Sequence, residues 1–162
     1  MVGAVTTAVP DPGAHGGDGR AVARALGLEP DDLLDLSLSL NPLAPDPAPV
    51  VARHLDALRT YPDPADATRT LAKVMGVEPE RLLLTNGGAE AIALLAAEVG
   101  GRVVEPDFGL HPRRGGPLWR SNPHSPSGLL AADGETADVW DEAFFPLATG
   151  RWTLGDGVPV VG

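Results

Sequence analysis

The sequence predicts an α/β domain with a mostly parallel sheet and flanking helices. Three observations predict it. The apolar run Leu82-Leu83-Leu84 leads straight into Thr85-Asn86-Gly87-Gly88, the pattern of a buried parallel strand feeding a tight turn. Residues 89–99 then carry Ile92, Leu95 and Val99 on one helical face, and Gly100-Gly101 closes the helix. Arg102-Val103-Val104 reads as the next strand, so strand, helix and strand follow one another at about the length of a βαβ unit.

The other elements follow in chain order. Residues 1–17 read as an arm, with neither the basic start nor the continuous apolar run of a signal peptide. Asp18 is placed to cap a short helix over residues 19–26, which Gly27 ends. Residues 32–40 alternate in part, through Leu34, Leu36, Leu38 and Leu40, and read as a strand or extended segment. Asn41-Pro42-Leu43-Ala44-Pro45 is a turn. Residues 49–58 carry Val50, Val51, Leu55 and Leu58 near helical spacing; residues 66–74 carry Leu71 and Val74 and close at Gly76. Residues 118–121, 137–140 and 158–161 are further short strand candidates. Sixteen residues separate Val104 from Ser121, and three Pro and three Gly among them leave no room for the usual crossover helix.

Composition bounds the function. A chain of 162 residues with 43% apolar content can build one domain with a core. Aromatics are only 4%, so Leu, Val and Ala are expected to fill that core. A net charge of −10 argues against a nucleic-acid partner, because such binding rests on Lys and Arg neutralising phosphates. It does not exclude a small anion held by backbone amides. There is no cysteine, and His15, His54, His111 and His124 share no ligand spacing, so no metal site is expected. No G-x-S-x-G elbow marks a serine hydrolase. No apolar run reaches the roughly 18 residues that span a bilayer, so a soluble, cytoplasmic protein with no membrane partner is expected.

Two places carry chemistry. Thr85 to Glu90 lies between a strand and a helix, where free N–H groups and the positive dipole end suit a phosphate. It is neither a Walker A loop nor a dinucleotide fingerprint, and an ordinary βα turn has the same pattern. Asp141 follows the strand Ala137-Asp138-Val139-Trp140, at the carboxyl end where open α/β sheets bind ligands. Its carboxylate can pair with a protonated ring nitrogen, or simply be a helix cap or a surface acid. Arg113, Arg114 and Arg120 offer charge to an anionic substrate, though each alone also reads as solvated surface.

Six segments in collinear order resemble the N-terminal part of the fold-type-I pyridoxal-phosphate aminotransferase family. They are Ala14-His15-Gly16-Gly17-Asp18; Leu34-Asp35-Leu36-Ser37 continuing through Asn41-Pro42-Leu43; Arg59-Thr60-Tyr61-Pro62-Asp63; Thr85 to Glu90; Asn122-Pro123-His124-Ser125-Pro126-Ser127-Gly128; and Asp141-Glu142-Ala143-Phe144. Within the family, the chain is similar to the L-threonine-O-3-phosphate decarboxylases of cobalamin biosynthesis and to the histidinol-phosphate aminotransferases. The resemblance implies pyridoxal 5'-phosphate as cofactor. Gly88, Ala89 and Glu90 would present amides to its phosphate, and Asp141 would hold its pyridine nitrogen. Tyr61 would reach the phosphate of a neighbouring subunit, which implies a homodimer. Ser125 stands where the family has an asparagine on the cofactor's 3'-oxygen, and His111 where it has a stacking aromatic. His15 and Asn41 would touch an amino-acid phosphate substrate.

The resemblance also sets a conflict. Lys73 is the chain's only lysine and matches no catalytic position, while the family's Schiff-base lysine would fall beyond Gly162. The expected organisation is an arm and small-domain segment at 1–45, a helical linker region at 46–77 and an incomplete cofactor-binding large domain at 78–162. Alone, such a chain is expected to be inactive, with a second polypeptide completing the site. A non-catalytic binder of the cofactor or of a phosphorylated metabolite stays open beside it. So does a truncated product whose half-sheet exposes an edge.

Overall fold

The computed structural model describes residues 11, 16–38, 40–41, 43–103, 112, 114–153 and 157–162. The chain forms two compact units, residues 1–60 and 61–162.

In the first unit, helix α1 spans Gly19–Leu26 and ends on Gly27 in the left-handed conformation, as the sequence predicts. The cap itself differs. Asp18 makes no side-chain cap bond. The Gly19 N–H donates instead to Asp35 Oδ2 at 3.2 Å, from sixteen residues away. Asp35 also accepts from the Ser37 hydroxyl at 2.6 Å and the Ser37 N–H at 2.8 Å, and the Ser37 hydroxyl accepts from the Gly17 N–H at 3.0 Å. The segment Leu34-Asp35-Leu36-Ser37 therefore holds the start of α1 by side-chain bonds. It has no place in the sheet, and Leu34 and Leu36 stay exposed. Helix α2, Ala48–Arg53, and a 3-10 turn, Leu55–Arg59, complete this unit.

These bonds, the Ser37 hydroxyl first, hold the Asp35 carboxyl below its ordinary value. The folded state therefore binds that proton less readily than the unfolded chain. Its stabilisation is complete above the ordinary aspartate range and is lost as pH falls through the lowered folded value. We expect Asp35→Asn at neutral pH to fray α1 as acid does in the native chain. Cα chemical shifts of residues 19–26 measure this, and unchanged shifts would refute it.

The second unit carries the sheet. Helix α3 is Ala65–Met75, closed by Gly76 in the left-handed conformation, and α4 is Gly88–Val99. Strands β1 (Arg102–Val103), β2 (Leu118–Ser121), β3 (Val139–Asp141) and β4 (Val160–Val161) pair in the order β1-β2-β3-β4, all parallel. A short helix α5, Phe145–Thr149, follows β3. The predicted α/β class, with a parallel sheet and flanking helices, is the observed one.

Two expectations are corrected. Residues 82–84 are no buried strand: they lie outside the sheet, with Leu83 77% and Leu84 37% exposed. A strand's side chains are buried when its neighbours in a sheet and the helices over both faces enclose it, and no described strand pairs with this run. The predicted βαβ unit thus keeps its helix and second strand and loses its first strand from the sheet. The core also differs. Its largest fully buried side chain is Trp119, packed with Ile92, Val139 and Val161, while most leucines stay exposed. The predicted face of α4 does cover it, through Ile92, Leu95 and Val99. Gly101 makes this possible: at φ +136°, a Cβ there would stand 2.1 Å from Trp119 Nε1. The indole N–H donates to Gly100 O at 2.9 Å, which satisfies the ring's polar edge inside the core.

Candidate functional site

The carboxyl ends of β2, β3 and β4 bring three chain segments together. Asp141 ends β3 and lies opposite Ser121 of β2 and Val161 of β4. It is 8% exposed, so the reading of a surface acid is removed. One of its oxygens accepts the Ala143 N–H at 3.3 Å.

Helix α4 opens toward the same edge. Gly87, its cap residue, has φ +86° and ψ 170°, a backbone state that favours glycine. No side chain caps the helix. The first intrahelical donor is the Ala91 N–H, to Gly87 O, so the N–H groups of Gly88, Ala89 and Glu90 precede the ladder. The Glu90 carboxylate folds back to accept the Asn86 N–H, and the Thr85 hydroxyl donates to Gly87 O at 3.0 Å. These two bonds shape the turn, and the three amides take no partner from the α4 ladder. A Cβ built on Gly88 would stand 3.9 Å from Val161 Cγ1, and Val161 is the register partner of Asp141. The helix opening and the buried carboxylate are thus one strand apart. Chemically, helix-start amides can take an anionic group and a buried carboxylate can pair with a cation.

The loop after β2 is fixed to this edge by a pair the sequence did not single out. Asn122 Nδ2 donates to Glu142 Oε1 at 2.8 Å, and Asn122 Oδ1 accepts the Ala131 N–H at 2.9 Å. Both residues are buried, at 8% and 7% exposure. The Asn122 N–H donates to Asp141 O at 2.8 Å, so the end of β2 is locked to the end of β3. Each residue begins or continues a quoted motif, Asn122-Pro123 and Asp141-Glu142. That adjacency was the only signal available. Asn122→Leu leaves the Glu142 oxygen and the Ala131 amide without partners. We expect it to cost about 1–3 kcal/mol, read by urea unfolding.

The remaining site residues fall as follows. Ser125 is half-buried on the Asn122 loop, four residues past the end of β2. Tyr61 is 97% exposed and not part of this cluster. Asn41, in the first unit, uses its Oδ1 to accept the Leu43 N–H at 3.0 Å and so builds its own turn. His15 and His111 lie outside the described residues, as does Arg113. Arg120 is not a solvated anion binder. It pairs with Glu135 at 2.8 Å and stands 5.9 Å from the centre of the Trp140 ring. This hydrogen bond, and then that of the Ala132 N–H, holds the Glu135 carboxyl below its ordinary value. Lys73 is exposed on α3.

An open parallel sheet, a glycine-led helix opening and a buried acid at the strand ends are those of an α/β domain, a class whose ligands bind at such strand ends. Comparison with known proteins then narrows the class. The chain is 37% identical to histidinol-phosphate aminotransferase of Natronomonas pharaonis over 93 residues, which are 55% of this chain and 25% of that protein. It is 38% identical to histidinol-phosphate aminotransferase of Halorubrum lacusprofundi over 95 residues, 54% of this chain and 26% of that protein. It is 37% identical to threonine-phosphate decarboxylase of Salmonella typhimurium over 106 residues, 59% of this chain and 28% of that protein. No protein-family model matches. These homologues are pyridoxal-phosphate-dependent enzymes of fold type I, and it is that family the chain resembles. The aligned stretch spans about a quarter of each relative's own length. Among the described residues, no helix is long and apolar enough to cross a membrane.

Proposed function

We propose that this chain contributes the phosphate loop and the ring-nitrogen acid of a pyridoxal-phosphate site, in a protein similar to the L-threonine-O-3-phosphate decarboxylases of cobalamin biosynthesis. The observation that carries the reading is the opening of α4 one strand away from buried Asp141. Gly88, Ala89 and Glu90 bind the phosphate through backbone N–H groups, where the helix dipole adds to the attraction. Asp141 holds the proton on the pyridine nitrogen, and its burial strengthens that pairing. Ser125 lies on the loop that would orient the ring oxygen. When bound, the cofactor supplies an electron sink for a substrate α-carbon. The covalent lysine is assigned to polypeptide outside these 162 residues, and a homodimer or second polypeptide completes the site.

A second reading is a histidinol-phosphate aminotransferase-like half-enzyme, favoured by the names of the two archaeal relatives. The two readings share every residue named here. Under either, the isolated chain binds the cofactor reversibly and turns over nothing.

Titration with pyridoxal 5'-phosphate, followed by cofactor absorbance and tryptophan fluorescence, tests the site. Saturable binding that dialysis removes is expected, with inorganic phosphate competing. Failure to bind would overturn the proposal. A dialysis-resistant band that borohydride fixes on Lys73 would contradict the reading of that lysine as a surface residue.

A further inference from the structure

A cavity of about 420 Å³ opens between helix α5 and the loop that follows β2. Small-molecule sites have volumes of roughly 300–1,000 Å³. Leu130, Phe145 and Ala148 give this one apolar walls. Asn122 lines it and is only 8% exposed. A primary amide carries two N–H groups. One of them goes to Glu142 Oε1 at 2.8 Å, while Asn122 Oδ1 takes the Ala131 N–H at 2.9 Å. The second side-chain N–H meets no acceptor among the described residues. A buried donor left without an acceptor is costly, so a cavity bordering it is a place for one. Arg151 supplies charge at the same cavity. Gly150, left-handed at φ 68°, ends α5, and the Arg151 N–H returns to the Thr149 hydroxyl at 3.2 Å. That hydroxyl donates to Phe145 O at 2.8 Å, so both of its roles are taken. The Arg151 guanidinium joins no ion pair among the described residues, and no Asp or Glu among them lines the cavity.

A guanidinium, a buried amide donor and apolar walls together select the ligand. A cationic ligand is repelled by Arg151. A purely apolar one leaves the Asn122 N–H unmet. A dianion such as phosphate finds a single cation, in a chain of net charge −10, and gains nothing from the apolar walls. A planar carboxylate matches the guanidinium fork. An aromatic body meets Phe145 in the edge-to-face or offset geometry that rings prefer. We propose that this cavity binds a small aromatic monocarboxylate. Its head group lies between Arg151 and the Asn122 side-chain amide, and its ring lies against Leu130, Phe145 and Ala148. The carboxylate takes the N–H that Asn122 leaves over, so the bonds of Asn122 to Glu142 and Ala131 persist. Occupancy therefore stabilises the locked β2–β3 edge. The cavity shares no lining residue with Thr85 to Glu90. The inference does not rest on cofactor binding, so either can fail without the other.

The test titrates the isotope-labelled 162-residue protein with phenylacetate, without cofactor. Saturable NMR shifts are expected below about 10 mM at the Asn122 side-chain amide and at the backbone amides of Ala131, Phe145 and Arg151. Phenylacetamide, of the same shape but uncharged, should bind at least about tenfold more weakly, and phenethylamine not at all. Arg151→Gln, at an exposed position, should weaken phenylacetate by the same factor of about ten. Ala148→Trp, also exposed, fills the cavity and should abolish the shifts. Leu130→Glu sets a like charge beside the head group and gives a second variant with the same expected loss should the first fail to fold. The urea midpoint of the native chain should rise with phenylacetate, since a ligand of the folded state alone stabilises it. An unshifted Asn122 amide, an unmoved midpoint, or phenylacetamide binding as tightly as phenylacetate would overturn the proposal. Inorganic phosphate displacing phenylacetate at equal concentration would reduce the site to a surface anion contact of Arg151 and overturn it too.

Discussion

Trp119→Ala is expected to destabilise the sheet-bearing unit by about 3–5 kcal/mol, the usual cost of truncating a fully buried aromatic. Three effects combine. The indole is 0% exposed and packs against Ile92, Val139 and Val161, so its removal leaves a cavity between α4 and the sheet. Gly100 O loses its 2.9 Å donor. Gly101, whose conformation exists to clear the ring, is left with conformational freedom and nothing to clear. Urea unfolding measures the first two together. Trp119→Phe separates them, because it retains most of the packing and loses only the donor; about 1 kcal/mol is expected there. If alanine cost no more than phenylalanine, Trp119 would not be the centre of this core.

Asp141→Ala is expected to weaken pyridoxal 5'-phosphate binding by about 10- to 100-fold, the worth of one hydrogen bond to a charged partner. Asp141→Asn discriminates between a charge role and a shape role. The amide can still accept the Ala143 N–H, now bonded at 3.3 Å, so folding should be nearly unchanged. It carries no negative charge to keep a ring nitrogen protonated, so cofactor affinity should fall as it does with alanine. Equilibrium dialysis with the cofactor measures the affinity. Urea unfolding of the same samples shows whether a loss is a folding defect. Asn at wild-type affinity would remove Asp141 from the nitrogen-holding role and leave it as a local cap of the β3 end.

Both predictions rest on residues of different legibility. Asp141 was readable because a short apolar strand ending in an acid places that acid at the carboxyl edge, and its motif lay in order with five others. Trp119 was not readable. A lone aromatic in a four-residue strand has no periodicity to declare its face, and it is buried by residues distant in sequence, Ile92, Val139, Val161 and the close approach of Gly100 and Gly101. Leu82-Leu83-Leu84 shows the converse. Hydrophobicity marked it as a buried strand, but a strand's burial belongs to its neighbours, and no described strand pairs with it. Asp35 was quoted only as part of a motif, because a cap supplied from sixteen residues away leaves no local pattern.

The sequence by itself determined helices α1, α3 and α4 with their glycine stops, the parallel α/β class and the positions of the Thr85–Glu90 turn and the strand-end acid. These are short-range matters, set by φ freedom, helical periodicity and the turn that follows a strand. Only the tertiary structure decided that the loop and Asp141 lie one strand apart, that Asn122 and Glu142 lock the edge, and that β4 is the outermost of the described strands with a groove beside it. Those depend on hydrogen bonds and packing between residues distant along the chain, where neighbouring residue types carry no information about distance in space.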